Sequence, residues 1–256
     1  MSTAAARRVL VIAGLGKGSG TGASAARLFS KAGYSIALVA RGADALNTLA
    51  QELNSSGGNA VGFPVEAYTP KDISNVWNSI RAKYPAPSFA IGAAIFNVGQ
   101  SVWKPFLEIT PEDVQESLQV NVQTAFAFSR EAILTFKDNE ISEPTGKKGT
   151  LIFTGATASL RGNTTTSAMA AGKFGLRALA QSLAKEFGKD NIHVAHAIID
   201  GVIYSDRLVE LRPELANDSN ARLSTESIAN AYMYLVNQDR SAWTWELDLR
   251  PAHEKW

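Results

Sequence analysis

Every second residue from Gly14 to Gly22 is glycine, with Leu15, Lys17, Ser19 and Thr21 between them. Glycines let a backbone turn sharply and approach a pyrophosphate with no Cβ in the way. A helix that starts at once after such a turn offers free N–H groups and the positive end of its dipole to phosphate. The apolar run 9–13 before the turn and the helical pattern 22–32 after it give the strand–turn–helix context this chemistry needs. A second apolar run ends in Ala40-Arg41. A carboxylate at such a strand end binds a ribose 2′-hydroxyl and repels a 2′-phosphate. Ala40 repels nothing, and the Arg41 guanidinium can pair with phosphate through two parallel hydrogen bonds. Lys17 adds a further cation in the turn. These residues point to a phosphorylated dinucleotide, NADP(H).

Other chemistries are excluded by what is missing. The chain has no cysteine, so a thiolate nucleophile, a disulfide framework and a Cys-ligated metal are ruled out. His193 and His196 lie three apart on an extended run and point to opposite faces, which argues against a metal pair and for packing. A net charge of +1 lacks the basic excess of a nucleic-acid groove. No run approaches the ~20 apolar residues that span a bilayer. The segment before Val9 and the short apolar run after it do not make a signal peptide, so a cytoplasmic protein is expected.

Elements to position these groups alternate along the chain. Apolar, β-rich runs cover 9–13, 35–40, 60–65, 89–96, 150–154, 193–199 and 243–249. Helix-period stretches cover 22–32, 43–55, 70–83, 111–136, 168–188 and 225–238. Strands apolar on both faces imply a parallel sheet buried between helix layers. Strict alternation predicts a doubly wound α/β Rossmann fold, one domain over residues 1–256. The Pro/Gly/Lys-rich stretch 138–149 reads as a surface loop.

Further motifs lie along this frame: Phe96-Asn97-Val98-Gly99 after the fourth run, Leu118-Gln119-Val120-Asn121-Val122, Ile152-Phe153-Thr154-Gly155-Ala156, Met169-Ala170-Ala171-Gly172-Lys173, and Asp200-Gly201-Val202-Ile203-Tyr204-Ser205. With the glycine turn they resemble the short-chain dehydrogenase/reductases over almost the whole chain. That family's Gly-x-x-x-Gly-x-Gly fits two registers, Gly14/Gly18/Gly20 and Gly16/Gly20/Gly22. The second is preferred, because Ala26-Arg27-Leu28-Phe29 then falls on the family's similar run; strand and turn would be two residues longer than usual. The resemblance implies that Gly16, Lys17, Ser19, Gly20, Thr21, Gly22, Arg41, Glu66, Asn97, Gly99, Lys173, Gly201, Ile203 and Ser205 bind the cofactor, with Glu66 standing in for an aspartate that faces the adenine. It implies that Asn121 and Lys173 belong to the active site. It also implies a homodimer or homotetramer built on the helices 111–136 and 168–188.

Three positions depart from the family. Ala156 stands where it has Ser, Met169 where it has Tyr, and Asp200 where it has Pro. Ala156 and Met169 keep the family's spacing of 13 residues, with Lys173 four further on. In the family the tyrosine gives a proton to the developing alkoxide and the serine hydrogen-bonds the carbonyl; neither Met169 nor Ala156 can donate a hydrogen bond. A general acid is worth ~10²–10⁴ in rate. Replacement donors are Asp200, Tyr204, Ser159 and Thr157, with Asp200 the foremost. Arg161, Arg207 and Arg212 are candidate contacts for an anionic group, and Trp243, Trp245 and Trp256 for packing or subunit contacts. Three functions stay open: an NADPH-dependent reductase of a small carbonyl, enone or iminium; a non-redox cofactor-binding scaffold or sensor; and an isomerase or cyclase in the inherited pocket.

Overall fold

The computed structural model describes residues 6–254 apart from Lys17 and Pro144, and only the backbone of Arg207. In chain order the first half runs β1 (Arg7–Ala13), α1 (Thr21–Lys31), β2 (Ser35–Arg41), α2 (Ala43–Ser55), β3 (Asn59–Val65), α3 (Pro70–Lys83) and β4 (Phe89–Phe96). Then come α4 (Pro111–Leu118), α5 (Thr124–Lys137), β5 (Gly149–Thr154), α6 (Ser167–Phe187) and β6 (Ile192–Ile199). The last part holds β7 (Val202–Ile203), α7 (Asp206–Leu211), α8 (Pro213–Ala216), β8 (Arg222–Leu223), α9 (Thr225–Asn237) and β9 (Glu246–Leu249). Seven strands form one sheet in the order β3-β2-β1-β4-β5-β6-β9, with every pairing parallel. This is the doubly wound fold that the alternation of patterns predicts.

Burial explains why the strands are apolar throughout. Within β1, Val9, Val11 and Ala13 face a core layer with α3, α5 and α6, while Leu10 and Ile12 face the layer of α1, α2 and α9. Trp77, Phe96, Phe128 and Phe153 fill the first layer; Phe29 and Tyr232 fill the second. Each such side chain gains ~1.5–3 kcal/mol on burial. The order of winding reverses between β1 and β4. The crevice at the carboxyl ends of those two strands is therefore where a ligand of this fold lies.

The structure corrects two element boundaries and adds two short helices. The helix expected over 111–136 is interrupted by a π-turn at Gln119–Gln123, inside which Asn121 falls. Such turns insert one residue into a helix and turn a side chain inward. The last strand begins at Glu246 rather than at 243, because the Gln238 amide holds Thr244 through its backbone N–H and hydroxyl and bends the chain there. The segment 204–219 carries α7 and α8, which have no apolar periodicity long enough to be read in sequence.

Both histidines of β6 are buried, as packing predicts. His193 stacks on Trp243 with ring centroids 5.1 Å apart and lies 2.9 Å from the Thr244 carbonyl. Neither ring nitrogen of His196 has a hydrogen-bond partner among the described residues; the Glu246 carboxylate is 3.4 Å from Nδ1. Burial pushes both imidazoles down to about 4, from the usual 6.5. At pH values below about 6.5 the unfolded chain takes up protons that the folded chain refuses, so stability is full above that pH and is lost as pH falls toward 4. Urea unfolding at pH 7 and pH 5 will show this loss. His196→Gln will shrink the difference between the two pH values, and an unchanged difference would exclude His196 as its source.

Candidate active site

The glycine turn rises from the carboxyl end of β1 and closes on α1. Gly14 N–H donates to the Val39 carbonyl at 2.9 Å, and Asn97 N–H donates to the Ala13 carbonyl at 2.8 Å. The Asn97 amide then donates to the Gly14 carbonyl at 2.7 Å. The fit is tight enough to demand glycine. A Cβ on Gly14 would lie 2.6 Å from the Asn97 carbonyl, and one on Gly22 would lie 2.2 Å from the Gly14 oxygen. Gly16 has φ +64°, and no atom of the described residues lies within 4 Å of its Cβ direction. Gly14, and not Gly16, is thus the glycine of close approach, and the two additional residues sit within the turn. The strand itself ends at Ala13.

These residues suit a pyrophosphate. The N-cap of α1 is Gly20, with no side chain to occupy the first N–H groups of the helix. Thr21 beside it is buried, and its hydroxyl has no partner among the described residues. An orphaned hydroxyl at an uncapped helix start is a site that an anion completes. Ser19 joins the turn to the segment after β6 by accepting from Asp206 N–H at 3.2 Å. Arg41 is exposed at the end of β2, its guanidinium 5.2 Å from the Tyr68 ring centre. Glu66 is exposed one residue past β3. Ile203 lies in β7, and Ser205 caps α7 by accepting from Leu208 N–H at 3.3 Å. Lys17 lies outside the described residues.

Asn121 and Lys173 meet beneath exposed Gly99. A Cβ on Gly99 would be 3.3 Å from Lys173 Nζ and 3.6 Å from Asn121 Oδ1. The Asn121 amide donates to the carbonyls of Ser117 at 3.0 Å and Gln100 at 3.1 Å, and its oxygen accepts from Gln100 N–H at 3.3 Å. The π-turn is what aims it there. Lys173 is buried on α6 and donates to the Thr154 carbonyl at 3.0 Å. Burial pushes its ammonium down to about 8.

One turn before Lys173 on α6, Met169 joins Ala156, Ala158 and Ala170 in a small apolar cluster. Each hydroxyl offered by the sequence as a replacement donor has a definite place in the structure. Ser159 Oγ is buried and accepts from Ala156 N–H at 3.1 Å. Tyr204 is exposed under Arg222. The Thr157 hydroxyl donates to Asp200. Asp200 is fully buried, with Arg250 Nη1 at 2.7 Å and Arg161 Nη2 at 3.5 Å from its Oδ2. The expectation of Asp200 as the acid is corrected here: both oxygens of the carboxylate are taken by protein partners, and it anchors an ion-pair cluster. Arg212 pairs with Glu214, and the Arg207 side chain and Trp256 lie outside the described residues.

Sequence reasoning missed Arg250 altogether, since no motif surrounds it. It also missed Ser117, whose hydroxyl is 3.3 Å from the Asn121 amide nitrogen and donates to the Ala168 carbonyl at 2.8 Å. A polar residue four before Asn121, on the same helix face, was the available signal.

The sequence pattern of the short chain dehydrogenase family matches residues 8–216. The 3-oxoacyl-[acyl-carrier-protein] reductase of Bos taurus is 27% identical over 205 residues, 80% of each chain. The crystal structure of a short-chain dehydrogenase from Rhodopseudomonas palustris superposes with a TM-score of 0.77 at 31% identity, covering 95% of this chain and 98% of that one. A metagenomic short-chain oxidoreductase solved in complex with NADP superposes with a TM-score of 0.76 at 18% identity, covering 98% and 99%. The matched stretch runs from the glycine turn through Asn121 and Lys173 to the segment after β6, so the chain belongs to the short-chain dehydrogenase family.

Proposed function

We propose that this protein is an NADPH-dependent reductase of a small organic acceptor that is polarised before it arrives, an enone or an iminium rather than a plain ketone. The observation that carries the reading is the apolar cluster that joins Met169, one turn from Lys173, to Ala156, the two positions where the family resemblance puts its hydroxyl donors. An acceptor that already carries positive charge, or conjugation to spread the negative charge, needs less help from an acid. NADPH would be held by the turn 14–22, with Arg41 on its 2′-phosphate, Lys173 on a ribose hydroxyl, and Gly201, Ile203 and Ser205 along the nicotinamide half. Bound there, it would supply hydride from its nicotinamide ring. Asn121 fixes the backbone around Gln100, and Met169 and Ala156 exclude water.

An iminium becomes a neutral amine by hydride alone and needs no proton. With an enone, hydride leaves an enolate, and the proton it takes up comes from Lys173 Nζ in this proposal. Its value of about 8 lies near working pH, where a general acid is most effective. The acid form is present below that pH and is lost above it. The turnover rate with an enone will therefore fall as pH rises through about 8, and Lys173→Arg will move that limb upward. A flat profile from pH 6 to 10 would remove Lys173 as the donor.

The general test is a panel of ketone, enone and cyclic iminium acceptors, followed by NADPH absorbance. Turnover of the last two at least about tenfold above the ketone is expected, equivalent to ~1.4 kcal/mol of barrier. Tight NADPH binding with no turnover of any acceptor would favour the scaffold reading. Exposed Phe126 and Leu134 on α5 and Phe174 on α6 support a homodimer or homotetramer through those helices, which sedimentation will read. No described helix is long and apolar enough to cross a membrane.

A further inference from the structure

We infer that Arg250 is a positioning residue: through its ion pair with buried Asp200, the C-terminal segment after β9 fixes the backbone of residues 200–205. The inference rests on the proposed function in one respect, that this backbone holds the nicotinamide half of the cofactor. The grip itself does not depend on that function.

Asp200 follows β6 directly and has no exposed surface. A carboxylate in that position is tolerated only when paired. Arg250 follows β9 directly, and its side chain is 15% exposed. One edge of its guanidinium holds Asp248 at 2.8 and 2.9 Å, while Nη1 reaches Asp200 at 2.7 Å. Bridging two carboxylates this way uses the planar fork of arginine, which lysine lacks.

Three backbone hydrogen bonds and the close fit of Gly201 add to the grip. Asp200 N–H donates to the Leu249 carbonyl at 2.9 Å, extending the pairing of β6 with β9. Gly201 adopts φ +147°, and a Cβ there would lie 2.7 Å from Pro251 Cδ and 3.1 Å from Glu254 Oε2. His253 N–H donates to the Asn220 carbonyl at 2.8 Å, and Tyr204 N–H to the Leu223 carbonyl at 2.9 Å. The segment is thus clamped between the C-terminal turn on one side and β8 on the other. A proline, which the family resemblance places at 200, restricts its own backbone covalently. Asp200 has no such restriction, and Arg250 supplies it from residues beyond the 8–216 that match the family pattern. Removing Arg250 leaves a buried charge that, among the described residues, is answered by the Thr157 hydroxyl and by Arg161 at 3.5 Å.

The test uses Arg250→Gln, Arg250→Lys and the double variant Asp200→Asn/Arg250→Gln, in which no charge is buried alone. Hydrogen exchange of amides 201–205 is measured without cofactor. Calorimetry then compares NADPH with adenosine 2′,5′-bisphosphate, a probe of the adenine half only. Arg250→Gln is expected to speed exchange at 201–205 by about tenfold and to weaken NADPH by about tenfold, a change of ~1.4 kcal/mol, while the adenine probe stays within about twofold. The double variant is expected to recover most of both losses. Exchange at 201–205 that stays at the wild-type rate, or an equal loss of both ligands, overturns the inference. If Arg250→Gln does not fold, Arg250→Lys takes its place: faster exchange at 201–205 supports the clamp, and no change overturns it. Should the wild-type chain bind neither probe, the cofactor reading fails, and the exchange rates still judge the clamp.

Discussion

Met169→Tyr combined with Ala156→Ser will raise the reduction of a plain cyclic ketone by at least about 10²-fold. Met169 and Lys173 share one face of α6, four residues apart, so a phenol at 169 would stand over the lysine. The ammonium beside it would lower the phenol's pKa and favour proton transfer. A serine at 156 adds a hydroxyl at the end of β5 to meet the carbonyl oxygen. Together these donors restore ~3–6 kcal/mol of transition-state stabilisation, the worth of a general acid. The substitution is not free. Met169 packs in a nearly closed cluster with Ala158 and Ala170, and the larger ring costs ~1–3 kcal/mol of stability through overpacking. Thermal melting is therefore run beside kcat/KM measured by NADPH absorbance. A folded double variant that binds NADPH and still ignores the ketone would sink the account of why the native site is selective. The single Met169→Tyr variant should recover the larger share of the gain.

The sheet was legible in sequence because its signal is redundant. Each of the first six strands is an apolar run that adjoins a helical pattern, so one misread residue changes nothing. Asn121 and Lys173 were legible through the motifs that resemble the family's, and the structure brings them together under Gly99. The π-turn was not, since a one-residue insertion shows in sequence only as a shift in the phase of the apolar pattern, which is hard to see within a single helix pair. Asp200 shows the deeper limit. Its placement at the site followed from the motif, but its partners did not. Arg250 lies 50 residues away in sequence, and an ion pair between strand ends depends on sheet order, which no local pattern encodes. The glycine turn failed in a subtler way. Alternating glycines fit two registers, the run 26–29 favoured the one that starts at Gly16, and only the third dimension shows that Gly14 is the glycine that touches another backbone.

That distinction yields the second large effect. Gly22→Ala will lower the melting temperature by about 6–12 °C, from a cost of ~3 kcal/mol at ~2–4 °C per kcal/mol in a domain of this size. The new methyl would sit 2.2 Å from the Gly14 oxygen and 3.1 Å from Asn97 Nδ2. Neither neighbour can yield cheaply. Gly14 is itself wedged against the Asn97 backbone, and the Asn97 amide is held by the Gly14 carbonyl. The strain must move α1 away from β1, carrying the uncapped N–H groups of α1 off their aim. NADPH affinity should drop by more than about tenfold, or ~1.4 kcal/mol. Gly16→Ala is the contrasting case. Its methyl meets no atom of the described residues within 4 Å, and its left-handed φ of +64° alone costs the fold, at ~1–2 kcal/mol. Cofactor affinity should stay within a few-fold. If calorimetry instead finds Gly16→Ala unable to bind NADPH while Gly22→Ala binds normally, the cofactor lies against the outer arc of the turn. The crevice between β1 and β4 would then not be its site.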